Sequence, residues 1–297
     1  MKWFLPAKTF LLGEYVAIVG GPALVLTTTP CFEVTLLDKV GLNNIHPASP
    51  AGRWWKESNI EQGLSWFDPY QNRGGLGASS AQFLGAYYAS CYVHNKMGTL
   101  MEMHEAYSQV SWDKQGLRPS GYDVLAQSLR GCVYIHHQQR QYQIYDWPFD
   151  DLAFILLHTG KKLITHHHLQ TQSLPNEINE LSIIVELGKQ AFESRDSACM
   201  IDAVNAYHKQ LLSLNLVTKE SQQYLDWLKQ QTEILAAKGC GAMGADVLLL
   251  FVSRTKLQPV LKQLSLIGCD LLATSEHLYT KGGLFENNLP KTLEISA

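Results

Sequence analysis

The chain has 297 residues, 46% of them apolar and 17% charged, with a formal net charge of −3. That length suits one large domain or two ordinary ones with a sizeable core. The near-neutral balance gives no support for a nucleic-acid surface, so an anionic ligand has to be met by local groups. The six cysteines (Cys31, Cys91, Cys132, Cys199, Cys240, Cys269) form no C-x-x-C pair. They read as reduced thiols of a cytoplasmic protein, without zinc or a disulfide framework. "MKWFLPAKTF" lacks the long apolar core of a signal peptide, and no stretch is apolar for long enough to predict a membrane span.

In chain order, "KTFLL", "ALVLTTT" and "CFEVTLL" predict strands, being rich in β-branched and aromatic residues and broken by Gly and Pro. Residues 41–73, rich in Gly, Pro, Asn, Ser and Trp, predict loops around short strands. Helical patterns follow at 79–95 and 100–113, then a Gly-Pro-Ser-Gly turn that spans Gly116 to Gln127. "GCVYIHH" and "LAFILLHTG" predict strands, and 175–237 is mostly helical. The end predicts a Gly-rich turn at 239–244, a strand "DVLLLFV", a helix at 256–267 and a strand "DLLATSEHLYT". Strands first and helices later give an α+β class in two lobes, 1–150 and 151–297.

"NRGGLGASSAQFLGAYY" sets three glycines and small residues against the start of a helix. A helix N-terminus has unpartnered N–H groups and a positive dipole end, so it suits an anion that can come close. Gly74, Gly75, Leu76, Gly77, Ala78, Ser79 and Ser80 fit a phosphate cradle; a tight turn beneath another helix would use the same residues. No Gly-Lys-Ser/Thr follows, so this is not a Walker loop, and a dinucleotide fingerprint lacks its third glycine.

Two further glycine turns stand at either end: Pro6-Ala7-Lys8 through Gly13-Glu14-Tyr15, and Gly241-Ala242-Met243-Gly244-Ala245. With Gly75-Leu76-Gly77-Ala78-Ser79-Ser80 between them, the order and spacing resemble the three motifs of the GHMP kinases: P-G-K-x-x-L-x-G-E-H/Y, G-L-G-S-S-A and G-A-G-G-G. The resemblance covers nearly the whole chain. It implies a two-lobed α+β fold, with an N-terminal lobe like ribosomal protein S5 domain 2, a ferredoxin-like C-terminal lobe, and a site between them.

The resemblance also assigns roles. "PSGYDVLAQ" is similar to the P-S-G-x-D of mevalonate kinases and the G-S-G-x-D-x-A-A of phosphomevalonate kinases. Asp123 then matches the catalytic aspartate and Lys8 its partner lysine. Residues 74–80 would bind ATP, with Ser79 toward Mg2+. Ser120, Gly121, Lys161, Lys162 and Thr165 would face a small anionic substrate. Asp246 after the third motif favours phosphomevalonate kinase, hence 5-phosphomevalonate as acceptor. Mevalonate kinase or another GHMP sugar or metabolite kinase is the alternative, and a non-catalytic binder or a mevalonate diphosphate decarboxylase represents other classes. No nucleic-acid or membrane partner is expected, and the chain would act as monomer or homodimer.

The sequence departs from the pattern at Ala7, Ala78, Met243 and Ala245. Trp112, with Asp113 beside it, stands where mevalonate kinases carry a magnesium-binding glutamate. His166-His167-His168 reads as a surface turn, since consecutive residues cannot all face one ion. Trp54 and Trp55 suit an adenine pocket or the core equally.

Overall fold

A computed structural model describes residues 1–114, 116–160, 178–244 and 246–280. The first sheet is built on β1 (Lys2–Leu12) and the long β2 (Pro22–Leu37), which pair antiparallel. Around β2 the order is β3 (Leu42–Asn43), β4 (Gly63–Phe67), β2, β5 (Cys132–His136) and β6 (Gln141–Tyr145). From Leu5 onward every residue of β1 is buried. The polar/apolar alternation of a half-solvated strand is lost because α2 (Ala78–Val93) and α4 (Tyr122–Leu129) pack on the strand, and elements of the second sheet reach it as well.

The second sheet runs β10 (Asp270–Thr274), β7 (Leu152–His158), β9 (Val247–Ser253), β8 (Ala236–Cys240), all antiparallel. Among the described residues, three helices, α5 (Ile178–Ser194), α6 (Ser197–Ser213) and α7 (Lys219–Gln231), lie between β7 and β8; α8 (Leu257–Leu266) joins β9 to β10. This strand–helix–strand–strand–helix–strand order is the ferredoxin-like arrangement. Period-two alternation splits β7 cleanly. Leu152, Phe154 and Leu156 enter the main core shared with the first sheet, while Ala153, Ile155 and Leu157 join a second core under α7 and α8. After β10 the chain returns to the first sheet, where Tyr279 N–H donates to Thr27 O at 2.9 Å and Gly131 N–H to Tyr279 O at 3.0 Å.

Several elements differ from expectation. The strands expected at "ALVLTTT" and "CFEVTLL" are one, β2; α4 forms where a turn was expected over Gly116 to Gln127; and the last strand stops at Thr274. α1 (Pro50–Glu57) forms where loops were expected. Its start signals are local: Ser49 caps it by accepting the Gly52 N–H at 3.2 Å, and Pro50 sits in the first turn, where its missing N–H costs nothing. β8, "AAKGC", falls where the end of a helix and a turn were expected. Its residues carry little β-propensity, and complete burial against β9 decides the outcome instead. β6 was not expected at all; it is an edge strand, largely solvated, with a weak apolar signal. α3 (Leu100–Ser111) closes the N-terminal helical layer as expected, with a Thr99/Glu102 capping box.

Candidate active site

The first two glycine turns meet at Lys8. The Lys8 backbone N–H donates to Leu76 O at 3.0 Å, so β1 runs directly beside the turn that opens α2. Gly77 caps α2 with φ +78°, and the first intrahelical bond is Ala81 N–H to Gly77 O at 2.9 Å. The N–H groups of Ala78, Ser79 and Ser80 therefore have no partner within the helix. No acidic residue stands in that first turn to neutralise the dipole, and Ser79 is exposed at its mouth. The Ser80 hydroxyl is turned inward, 2.8 Å from Gln127 Oε1, leaving only its backbone toward the turn.

Close approach explains the glycines. A Cβ at Gly77 would stand 2.7 Å from Lys8 Cγ, and one at Gly75 (φ +84°) 2.6 Å from Asp246 Cβ. The catalytic-candidate lysine and the buried Asp246 pass directly beneath the turn.

Lys8 Nζ lies 2.9 Å from Asp123 Oδ1. Asp123 is in the first turn of α4, which Gly121 caps at φ +71°. The lysine side chain is 10% exposed and the carboxylate 33%, so the pair opens to solvent on the aspartate's side. A partly exposed pair contributes only about 0–1 kcal/mol to stability, so folding alone gives it little reason to be there.

The third turn is fastened to the first. Met243 N–H donates to Tyr15 Oη at 2.9 Å, and Thr218 N–H donates to Met243 O at 3.1 Å. Burial pushes the Tyr15 phenol up to about 12, so it remains neutral. Next to it Glu14 and Lys238 form a wholly buried ion pair between the first motif and β8, and Lys238 Nζ also donates to Phe10 O at 3.3 Å. Tyr207 Oη adds a bond to Glu14 O at 2.7 Å. Burial also drives the adjacent Cys240 thiol up to about 11, keeping it protonated beside the lysine. Lys238 was not recognisable as a site neighbour, because only the fold brings it to Glu14.

In the turn before Asp123, His104 Nε2 is 2.9 Å from Ser120 O, and a Cβ at Gly121 would meet the His104 ring at 2.4 Å. Ser120 Oγ accepts the Tyr122 N–H at 3.3 Å. The His104 and His137 rings are in contact, tilted by 48° with centroids 4.7 Å apart. Burial lowers the pKa of both, and His137 is lowered further by His104, Arg118 and Arg140. The turn before Asp123 thus rests on uncharged imidazoles at neutral pH. Lys161, Lys162, Thr165, His166-His167-His168 and Ala245 lie outside the described residues.

Both tryptophans pack in or against the main core. Trp55 is buried, with Nε1 donating to Gln62 O at 2.9 Å, and Trp54 Nε1 donates to Ser90 Oγ at 3.0 Å. Trp54 borders a cavity of about 440 Å³ with Tyr87, Cys91 and His94, along the C-terminal half of α2 and away from Ser79. For the metal, no cluster of three or more His, Cys, Asp or Glu that could hold one exists among the described residues. The exposed Ser79 hydroxyl at the cradle suits an ion that takes most of its oxygens from phosphates and water, as magnesium does.

No family model and no curated protein matches the sequence. Solved structures do match over nearly the full length. Mevalonate kinase of Methanococcus jannaschii superposes with a TM-score of 0.73 at 17% identity, covering 94% of this chain and 98% of that one. Phosphomevalonate kinase of Streptococcus pneumoniae, in complex with phosphomevalonate and AMPPNP, gives 0.76 at 16%, covering 92% and 99%. The fold is that of the GHMP kinases. Galactokinase of Lactococcus lactis, complexed with galactose, shares the same GHMP architecture with a TM-score of 0.74 at 12% identity, covering 94% of this chain and 93% of that one. The GHMP kinase fold thus tolerates nearly complete sequence replacement, which throws the weight of any functional argument onto the residues of the three turns.

Proposed function

We propose that the chain is an ATP-dependent phosphotransferase that moves the γ-phosphoryl group to a small anionic acceptor, 5-phosphomevalonate foremost. The observation that carries this reading is the Lys8–Asp123 pair, 2.9 Å apart, set against the glycine cap of α2. Phosphoryl transfer needs little covalent chemistry from a protein; it needs positioning and charge stabilisation. Backbone N–H groups of 74–80 hold the phosphates at the helix mouth. Lys8, fixed through its backbone bond to Leu76, offsets negative charge on the group in transfer. Asp123 orients Lys8 and the acceptor oxygen and takes up a proton where the acceptor has one to give. Ser120 and Gly121, held by His104, line the approach to Asp123, and Lys161, Lys162 and Thr165 complete the proposed acceptor side. Magnesium, when bound, would be held by the phosphates and Ser79, and would neutralise phosphate charge. The likeness in fold to kinases of phosphomevalonate and of mevalonate supports this choice of acceptors.

The acceptor can be read from two substitutions. A phosphate monoester has a second pKa near 6, so at pH 7.5 it already offers an ionised oxygen, and repulsion between anions is the main obstacle. An alcohol needs a base, worth about 10²–10⁴-fold. With phosphomevalonate, Lys8→Met lowers kcat more than Asp123→Asn does at saturating magnesium. An Asp123→Asn loss much larger than that of Lys8→Met overturns this acceptor and favours mevalonate.

A further inference from the structure

We propose that Gln127 is the positioning residue that sets the register of the Lys8–Asp123 pair against the phosphate turn, a role that rests on the phosphotransferase reading above. Its side chain is fully buried, at 0% exposure, and its three hydrogen bonds reach from α4 to the two other segments that make the site. Nε2 donates to Pro6 O at 2.8 Å and to Gly77 O at 3.2 Å, while Oε1 stands 2.8 Å from Ser80 Oγ. The amide orientation is fixed by chemistry: reversed, it would set its oxygen against two carbonyls. The Ser80 hydroxyl is also 2.8 Å from Gly77 O, but that carbonyl already accepts from Nε2 and from Ala81 N–H, whereas Oε1 has no other donor among the described residues.

The anchors matter more than their number. Pro6 sits at a break in the β1–β2 register, between Leu5 and Ala7, so its carbonyl is free of the regular ladder two residues before Lys8. Gly77 is the cap of the phosphate-facing helix. Gln127 itself is four residues beyond Asp123, on the same face of α4. One planar amide therefore ties the lysine's strand, the cradle's cap and the aspartate's helix into one frame. A Cβ at Gly77 would come within 3.1 Å of Nε2, so there is no slack for the turn to slide past it. A fully satisfied buried polar network of this kind specifies one arrangement, where an apolar side chain of equal volume would fill the space without fixing it. Gln127 reaches no reacting group, and its effect passes through Lys8 and Asp123.

The test compares Gln127→Met, Gln127→Glu and a control, Leu225→Ala, which opens the second core rather than the main core that holds the Lys8 strand and α2. Three readouts are needed: kcat and ATP KM from ADP release, the acetylation rate of Lys8 by mass spectrometry, and Tm. Gln127→Met is expected to lower kcat about 10–100-fold, the cost of a misplacement near 1 Å, with ATP KM changed little. Lys8 acetylation should rise several-fold as the pair loosens. The control should lose Tm without either change, since a merely structural role moves only stability. Gln127→Glu adds a pH signature. Burial raises a carboxyl's pKa; protonated, it can donate to one carbonyl and accept from Ser80, and ionised, it can only accept. Its kcat relative to wild type should therefore climb as pH falls from about 8.5 to about 6. Wild-type kcat and wild-type Lys8 reactivity in Gln127→Met overturn the proposal. If that variant does not fold, a pH-independent kcat ratio with unchanged Lys8 reactivity in Gln127→Glu does so. Absence of ADP release by the wild type with every acceptor defeats the phosphotransferase reading, while Lys8 acetylation still decides whether Gln127 sets the register.

Discussion

The second and third glycine turns obey different constraints, and the contrast explains which departures from the motif pattern are tolerated. At Gly75 and Gly77 both the backbone and the surroundings demand glycine: φ is positive, and a Cβ would strike Asp246 or Lys8 at 2.6 and 2.7 Å. At Met243 only the backbone makes a demand. Its φ is +56° and ψ 20°, a left-handed conformation that costs a side-chain-bearing residue about 1 kcal/mol, and bonds to Tyr15 and from Thr218 hold it there. A chain can carry methionine where the cost is conformational. It keeps glycine where another side chain occupies the space.

Substitutions can break this comparison. The largest effect is expected for Gly77→Val, whose branched side chain meets Lys8 and strains the cap; calorimetry should show ATP binding abolished, and normal affinity would remove the turn from the phosphate site. Gly75→Ala should destabilise the fold by about 1–3 kcal/mol, read as a fall in the denaturation midpoint, because the new methyl overpacks against Asp246. Ser79→Ala leaves that midpoint unchanged and weakens turnover, with more magnesium needed for half-maximal rate. The smallest effect belongs to Met243→Gly, which relieves about 1 kcal/mol of strain but gives part of it back to the unfolded chain. Its Tm should stay level or rise by about 2 °C. A Met243→Gly protein as damaged as Gly75→Ala would erase the distinction between the two turns.

What was legible in the sequence follows the range of the cause. β1, much of β2 and α2 announce themselves through neighbours in the chain, whereas the Pro-Ser-Gly that leads into α4 reads as a turn; the glycines of the second turn mark a close approach without naming what approaches. The Lys8–Asp123 pair was reached only through the resemblance, since 115 positions separate its members and nothing local joins them. Gln127 and Lys238 were missed for the same reason: their partners at Pro6 and Glu14 lie 121 and 224 positions away. β8 was misread because Ala, Lys and Gly speak weakly for a strand, and its burial is a tertiary fact. α1 had a readable start in Ser49-Pro50, outweighed by the loop-forming composition around it.

The central claim, that Lys8 and Asp123 beside the α2 cap form a phosphoryl-transfer site, is tested most directly by a coupled ADP-release assay of the wild-type protein with magnesium-ATP. Phosphomevalonate, mevalonate, galactose and homoserine would be offered in turn, and CO₂ release followed with mevalonate diphosphate. The account predicts acceptor-dependent ADP release, fastest with phosphomevalonate and lost in Lys8→Met. ADP release with none of the acceptors, despite tight ATP binding, would contradict it and leave a nucleotide binder; ATP-dependent CO₂ release would make the protein a decarboxylase.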